Sequence, residues 1–131
     1  MNNTVMIVED DVLNMKLLND LLTIKGYDII QHTDGFGAYD AICNHRPDLI
    51  LMDINLPGQS GLDITAALKM NEELKHIPVI AVTAYAHQED MNLCLKSGCD
   101  GFIAKPISVN TFYKTVSDFI DHSKPNMRIV H

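Results

Sequence analysis

The feature of this sequence that most restricts its fold is an alternation. Five short apolar runs, at 5–8, 28–32, 49–52, 79–82 and 101–104, are separated by stretches in which apolar residues recur at helical spacing. Runs this short suit strands better than helices. The first, third and fourth (VMIV, LILM and VIAV) contain no polar residue, the pattern of strands covered on both faces of a parallel sheet. Between the runs lie DVLNMKLLNDLLTIKG, GFGAYDAICNH, GLDITAALKMNEEL and AHQEDMNLCLKSG, and SVNTFYKTVSDFI follows the last. The order predicts one (βα)5 unit, a doubly wound α/β domain with helices on both faces of a five-stranded parallel sheet. One domain suits 131 residues; it is expected over 1–122, with a polar tail over 123–131.

The helices carry their own punctuation. In the first, Leu17, Leu18, Leu21 and Leu22 are expected to lie near one another on the buried side, with Asp11 capping the start and Gly26 the end. The third starts after Gly61 and turns Leu62, Ala66 and Leu68 inward. The fourth presents Met91, Cys94 and Leu95 and stops at Gly98. The last, capped by Ser108, lines up Val109, Phe112, Val116, Phe119 and Ile120.

Charge and cysteine usage narrow the function. Lys plus Arg is 10 against 17 Asp plus Glu, a formal net charge of -7, which disfavours nucleic acid or an anionic membrane as the main partner. No apolar run nears the roughly 20 residues that cross a bilayer, so no direct membrane insertion is expected. The start, MNNTVMIVED, lacks a signal-peptide pattern, and the expected localisation is cytoplasmic. Cys43, Cys94 and Cys99 show no CxxC spacing, which argues against a disulfide framework or a zinc site.

In a doubly wound sheet, ligands bind outside the carboxyl ends of the strands. The first strand there leads into Glu9, Asp10 and Asp11, the third into Asp53 and Asn55, the fourth into Thr83, and the fifth into Lys105-Pro106. Like charges so placed are costly unless a cation sits among them. Carboxylates without histidine or cysteine suit magnesium, or manganese in its place, rather than zinc or copper. Asp10 and Asp53 are the expected direct ligands, and Glu9 reaches the ion either directly or through water. An aspartate beside magnesium, faced by a lysine and a hydroxyl, can attack phosphorus and form an acyl phosphate. Taken singly, each residue has a plainer use: Asp11 and Thr83 as helix caps, Asp53 as a turn residue, Lys105 as a solvated cation. Their joint placement at four strand ends favours the chemical reading. Pro57, Gly58 and Gly61 tighten the loop after Asp53, and Pro106 fixes a bend after Lys105.

The stretches VMIVEDD (5–11), LILMDINLPGQSGLD (49–63), VIAVTA (79–84) and GFIAKPI (101–107) resemble the receiver domain of two-component response regulators, a CheY-like, flavodoxin-like fold with strand order 2-1-3-4-5. Within that family, NMKLLNDLLTIKGY and HIPVIAVTAYA…GCDGFIAKPIS are most similar to the single-domain cell-division and polar-differentiation regulators of the DivK type. The resemblance implies that Asp53 is the phosphoacceptor. It also implies that Glu9 and Asp10 are the metal-binding pair, that Asn55 supplies a backbone carbonyl to the metal, and that Thr83, Phe102 and Lys105 are the switch and phosphate-contacting residues. Two departures stand out. The acidic pair is Glu-Asp rather than Asp-Asp, and the switch ring at Phe102 lacks a tyrosine hydroxyl.

The implied partners are a histidine kinase or histidine phosphotransfer protein upstream and a protein target downstream. The target is expected to read the face formed by the fourth helix, fifth strand and fifth helix, with Tyr85, His87, Tyr113 and Lys114 as candidate contacts. Tyr85, two residues beyond Thr83, is placed to hinder water at the mouth of the site, and Asn55 to orient it from the opposite side. The expected protein is a switch rather than an enzyme with a separate substrate. Two alternatives share its residues. A magnesium-dependent aspartyl phosphatase would need a second acid two residues after the nucleophile, where Asn55 stands. A receiver-like interaction domain that never accepts phosphate would be expected to have lost an acid or the lysine.

Overall fold

A computed structural model describes residues 3–56, 59–84 and 88–122, with side chains through Ile120. Pro57, Gly58, Tyr85, His87 and the tail over 123–131 lie outside the described residues. Strands and helices alternate as β1 (Thr4–Val8), α1 (Val12–Ile24), β2 (Asp28–His32), α2 (Ala38–His45), β3 (Leu49–Asp53), α3 (Gly61–Lys69), β4 (Val79–Thr83), α4 (Gln88–Ser97), β5 (Gly101–Ala104) and α5 (Val109–His122). The strands pair in parallel in the order β2-β1-β3-β4-β5, the doubly wound arrangement expected from the sequence.

Because successive side chains on a strand face opposite ways, the apolar runs feed two cores. Val5, Ile7, Leu49, Leu51, Ile80 and Val82 pack under α1 and α5. Their neighbours Met6, Val8, Ile50, Met52, Val79 and Ala81 pack under α2, α3 and α4. Every residue of β3 and β4 is buried, whereas the edge strands β2 and β5 are only partly covered. Each fully buried Leu or Ile contributes about 1.5–3 kcal/mol relative to exposure, so the central strands are the rigid part of the fold.

Helix ends follow their local chemistry. Asp11 caps α1 by accepting a hydrogen bond from the Asn14 amide. At the other end Gly26, at φ 85°, takes the left-handed turn while its amide and that of Tyr27 close back on the carbonyls of Thr23 and Leu22. The α3 stretch is shorter than its apolar pattern suggests and ends at Lys69 rather than near Leu74. Asn71 is the reason: its side chain accepts from the Glu73 amide and its carbonyl from the Leu74 and Lys75 amides, which starts a separate turn.

Three expected core residues are exposed. Leu17 lies beside the buried row Met15, Leu18, Leu21 and Leu22, about 100° round the helix from Leu18. Leu95 faces solvent because α4 buries only the row through Cys94. Val109, at the first turn of α5, stands clear of the sheet while Phe112, Val116 and Ile120 are buried.

Candidate functional site

The strand register brings four chain segments to one edge of the sheet. Asp53 pairs with Val82, and Thr83 with Ala104, so both are the last rungs of their ladders rather than the first residues of loops. Val8 pairs with Met52, which leaves Glu9 and Asp10 emerging beside Asp53. Lys105, the residue after β5, donates its amide to the Thr83 carbonyl at 2.8 Å. Asp53 and Thr83 therefore hang from the two most buried strands, and their positions are set by backbone pairing.

Carboxylate oxygens of Glu9, Asp10 and Asp53 lie within 4.8 Å of one another. Glu9 and Asp53 are buried and Asp10 is exposed. The Lys105 ammonium reaches over them, 3.1 Å from Glu9 Oε1 and 3.7 Å from Asp53 Oδ2. Backbone amides hold the other oxygens: Asp11 donates to Glu9 Oε2 at 3.1 Å and Asn55 donates to Asp53 Oδ1 at 2.9 Å. The Glu9–Lys105 contact is an ion pair without hydrogen-bond alignment. Among the described residues, Glu9 Oε1 is the one buried side-chain polar atom without a hydrogen-bond partner.

The electrostatics are frustrated. Burial pushes the Glu9 carboxyl up to about 7, and the Asp53 carboxylate adds to the rise against the opposing pull of the Asp11 amide and Lys105. Burial also works against the Lys105 ammonium, but Glu9 and Asp53 outweigh it and hold its pKa above the usual lysine value. One ammonium does not balance three carboxylates. An orphaned buried oxygen within a cluster of hard oxygen donors fits a small divalent cation such as magnesium. The depth order differs from the sequence reading, in which Glu9 was the secondary member: Glu9 is 1 % exposed, while Asp10 is open to solvent.

The loop after Asp53 is anchored on the same strand end. Ser60 caps α3 by accepting from the Leu62 amide at 3.2 Å. Its serine followed three residues later by Asp63 is a capping signal readable in the sequence. A methyl group on Gly61 would run into the Asp53 carbonyl oxygen and lie 2.9 Å from Ile54 Cα. Only glycine lets the start of α3 rest directly on the strand end that carries Asp53.

The remaining candidates fall nearby. The Asn55 side chain is exposed beside Asp53, and Phe102 is half-buried against the core under α2–α4. The Lys105–Pro106 peptide is cis. Tyr113, a candidate partner contact, instead donates its hydroxyl to the Leu21 carbonyl at 2.8 Å, while Lys114 is exposed and paired with Asp118.

Fold and site together define a doubly wound α/β domain with a cluster of three carboxylates, two of them in contact with a lysine, at the carboxyl ends of its strands. The pattern of the response regulator receiver domain family matches residues 5–117. The chain belongs to this family, whose members are signalling switches that work with histidine kinases or phosphotransfer proteins. It is 51% identical over 120 residues to the polar-differentiation response regulator DivK of Brucella anthropi, covering 92% of this chain and 98% of that protein. The receiver domain of a sensor histidine kinase from Pseudomonas aeruginosa, solved with a magnesium ion coordinated in its active-site cleft, is 30% identical with a TM-score of 0.85 and coverage of 92% and 98%. A CheY-like receiver domain protein from Methanospirillum hungatei shares the fold at 24% identity, with a TM-score of 0.86 and coverage of 94% and 97%. No helix among the described residues is long and apolar enough to cross a membrane.

Proposed function

We propose that Asp53 accepts a phosphoryl group from a phosphohistidine of a histidine kinase or histidine phosphotransfer protein. The observation that carries this reading is the meeting of Glu9, Asp10, Asp53 and Lys105 at one strand edge, with two of the acids buried and undercompensated. In the transfer, an Asp53 carboxylate oxygen bonds to phosphorus while the bond from phosphorus to the donor imidazole breaks. The bonding pair stays on the imidazole nitrogen, which takes up a proton, and Asp53 is left as an acyl phosphate.

Glu9, Asp10, Asp53 and the Asn55 carbonyl would hold magnesium, which when bound would supply positive charge to the transferring oxygens. Lys105, whose ammonium lies 3.7 Å from Asp53 Oδ2, would neutralise the same oxygens, and the Thr83 hydroxyl would donate to one of them. Drawing Thr83 toward the phosphoryl group frees space for Phe102, a ring with no hydroxyl that moves by packing alone. The α4–β5–α5 face changes with it and is read by a downstream protein. We assign to Asn55, exposed beside Asp53, and to Tyr85, two residues beyond Thr83 in the sequence, control of how readily water attacks the acyl phosphate. The similarity to DivK over almost the whole chain supports a place in cell division or polar differentiation.

Incubation with magnesium and acetyl phosphate should add one phosphoryl group, seen by intact-protein mass spectrometry. Asp53→Asn should abolish it. Unlabelled wild-type protein, or label persisting in Asp53→Asn, would overturn the assignment.

A further inference from the structure

We infer that Gly35, on the loop between β2 and α2, is a positioning residue for the Asp53 site; the inference rests on the function proposed above. Gly35 is buried although it belongs to a surface loop. A methyl group there would run into the Gln59 carbonyl oxygen and lie 2.7 Å from the Gln59 nitrogen and 2.9 Å from its carbonyl carbon. All three are main-chain atoms, so rotating a side chain relieves nothing and the backbone itself must move. Gly35 does not occupy the positive-φ region, so its role is close approach and not backbone freedom.

The displaced segment leads straight to the reacting carboxylate. Gln59 precedes Ser60, the cap of α3, and Gly61, whose main chain lies against the Asp53 carbonyl. Backbone thus approaches backbone twice in succession, the 33–37 loop against Gln59 and the entry to α3 against the end of β3, where the Met52 side chain also lies against Gly61. The 33–37 loop has its own tether, because His32 Nε2 lies 2.7 Å from the Phe36 carbonyl, and a methyl group on Gly37 would come within 3.7 Å of the same imidazole. Pushing Gln59 outward moves the α3 entry off Asp53 and loosens the geometry in which Asp53 meets its ligands and its donor.

The variant Gly35→Ala tests this against Gly26→Ala. Gly26 sits at φ 85° with nothing within 4 Å of an added methyl, so alanine there strains the α1 terminus without touching the site. Both proteins are assayed for acyl-phosphate formation from acetyl phosphate across a magnesium titration, with the folded fraction measured by circular dichroism. Gly35→Ala should raise the magnesium concentration for half-maximal rate and lower the saturating rate roughly 10- to 100-fold while folded. Gly26→Ala should leave both values unchanged. If Gly35→Ala loses rate only in proportion to its unfolded fraction, the inference is overturned. Should that variant not fold, amide shifts of the wild-type protein decide. Magnesium with beryllofluoride should move the Gly35 signal together with those of Gln59 and Gly61, and an unmoved Gly35 overturns the inference. Failure of the wild-type protein to be phosphorylated would instead strike the proposed function.

Discussion

Two lysines of nearly equal burial sit at opposite ends of the sheet. Lys69 and Lys105 have side chains 20% and 18% exposed. At the amino-terminal ends of the strands, Lys69 Nζ donates to the Lys75 carbonyl at 3.1 Å, the Ile77 carbonyl at 2.9 Å and Asp100 Oδ2 at 2.8 Å. The Val79 amide donates to that same Asp100 oxygen at 2.9 Å. Charge is matched there and each donor has its acceptor. At the carboxyl ends, Lys105 faces more carboxylates than it balances, and its ammonium is out of hydrogen-bond alignment with Glu9 Oε1, the nearest of their oxygens. The saturated network binds α3 to the entrances of β4 and β5. The unsaturated one keeps capacity for an incoming cation and anion. Burial does not separate the two lysines; completeness of their hydrogen bonds does.

The largest effect that sharpens this contrast is on chemistry. Lys105→Met should lower the rate of Asp53 phosphorylation by about 10²–10³-fold, read as acyl-phosphate formation at saturating magnesium. Wild-type rates in that variant would show the two ends to be alike in function.

Next comes pH. Glu9 titrates near 7 in the folded protein against 4.5 as its ordinary value, so folding takes up a proton between those limits. Stability of the metal-free protein should therefore be full below about pH 4.5 with respect to this group and fall as pH rises through 7, by roughly 3 kcal/mol. Magnesium, which competes with that proton, should restore stability above pH 7 and do little near pH 5. Urea unfolding at several pH values checks the slope, and Glu9→Gln should flatten it. A flat wild-type curve would remove the frustration argued for the site.

The smallest effect lies at the other end. Lys69→Met should cost about 1–2 kcal/mol of stability, since it strips partners from two carbonyls and a half-exposed carboxylate. Phosphorylation of the folded fraction should be unchanged. A rate loss beyond the unfolded fraction would mean that the saturated network also tunes the site.

Much of this was legible along the chain. The β2 and β5 segments occupy the positions their apolar runs mark, and Asp53, Thr83 and Lys105 stand at strand ends where the fold gathers its ligands. The ladder claims one residue more at the start of β1 and at the ends of β3 and β4, because pairing with a neighbouring strand is indifferent to whether the residue is polar. Leu17, Leu95 and Val109 misled for the converse reason: apolar character states what a residue can bury, while the neighbouring element decides how wide a stripe it covers.

Period, punctuation and residue type are local, and they were enough to establish the alternation of elements, the doubly wound class and the polar side chains that meet at one strand edge. Depth and satisfaction are properties of packing. That Glu9 is the buried acid and Asp10 the open one, that Lys69 is spent on structure while Lys105 is not, and that Gly35 must be bare because another backbone passes over it were decided only in three dimensions. Segments distant in the chain meet there, and the energy of a charge or the room for a methyl group depends on what they bring.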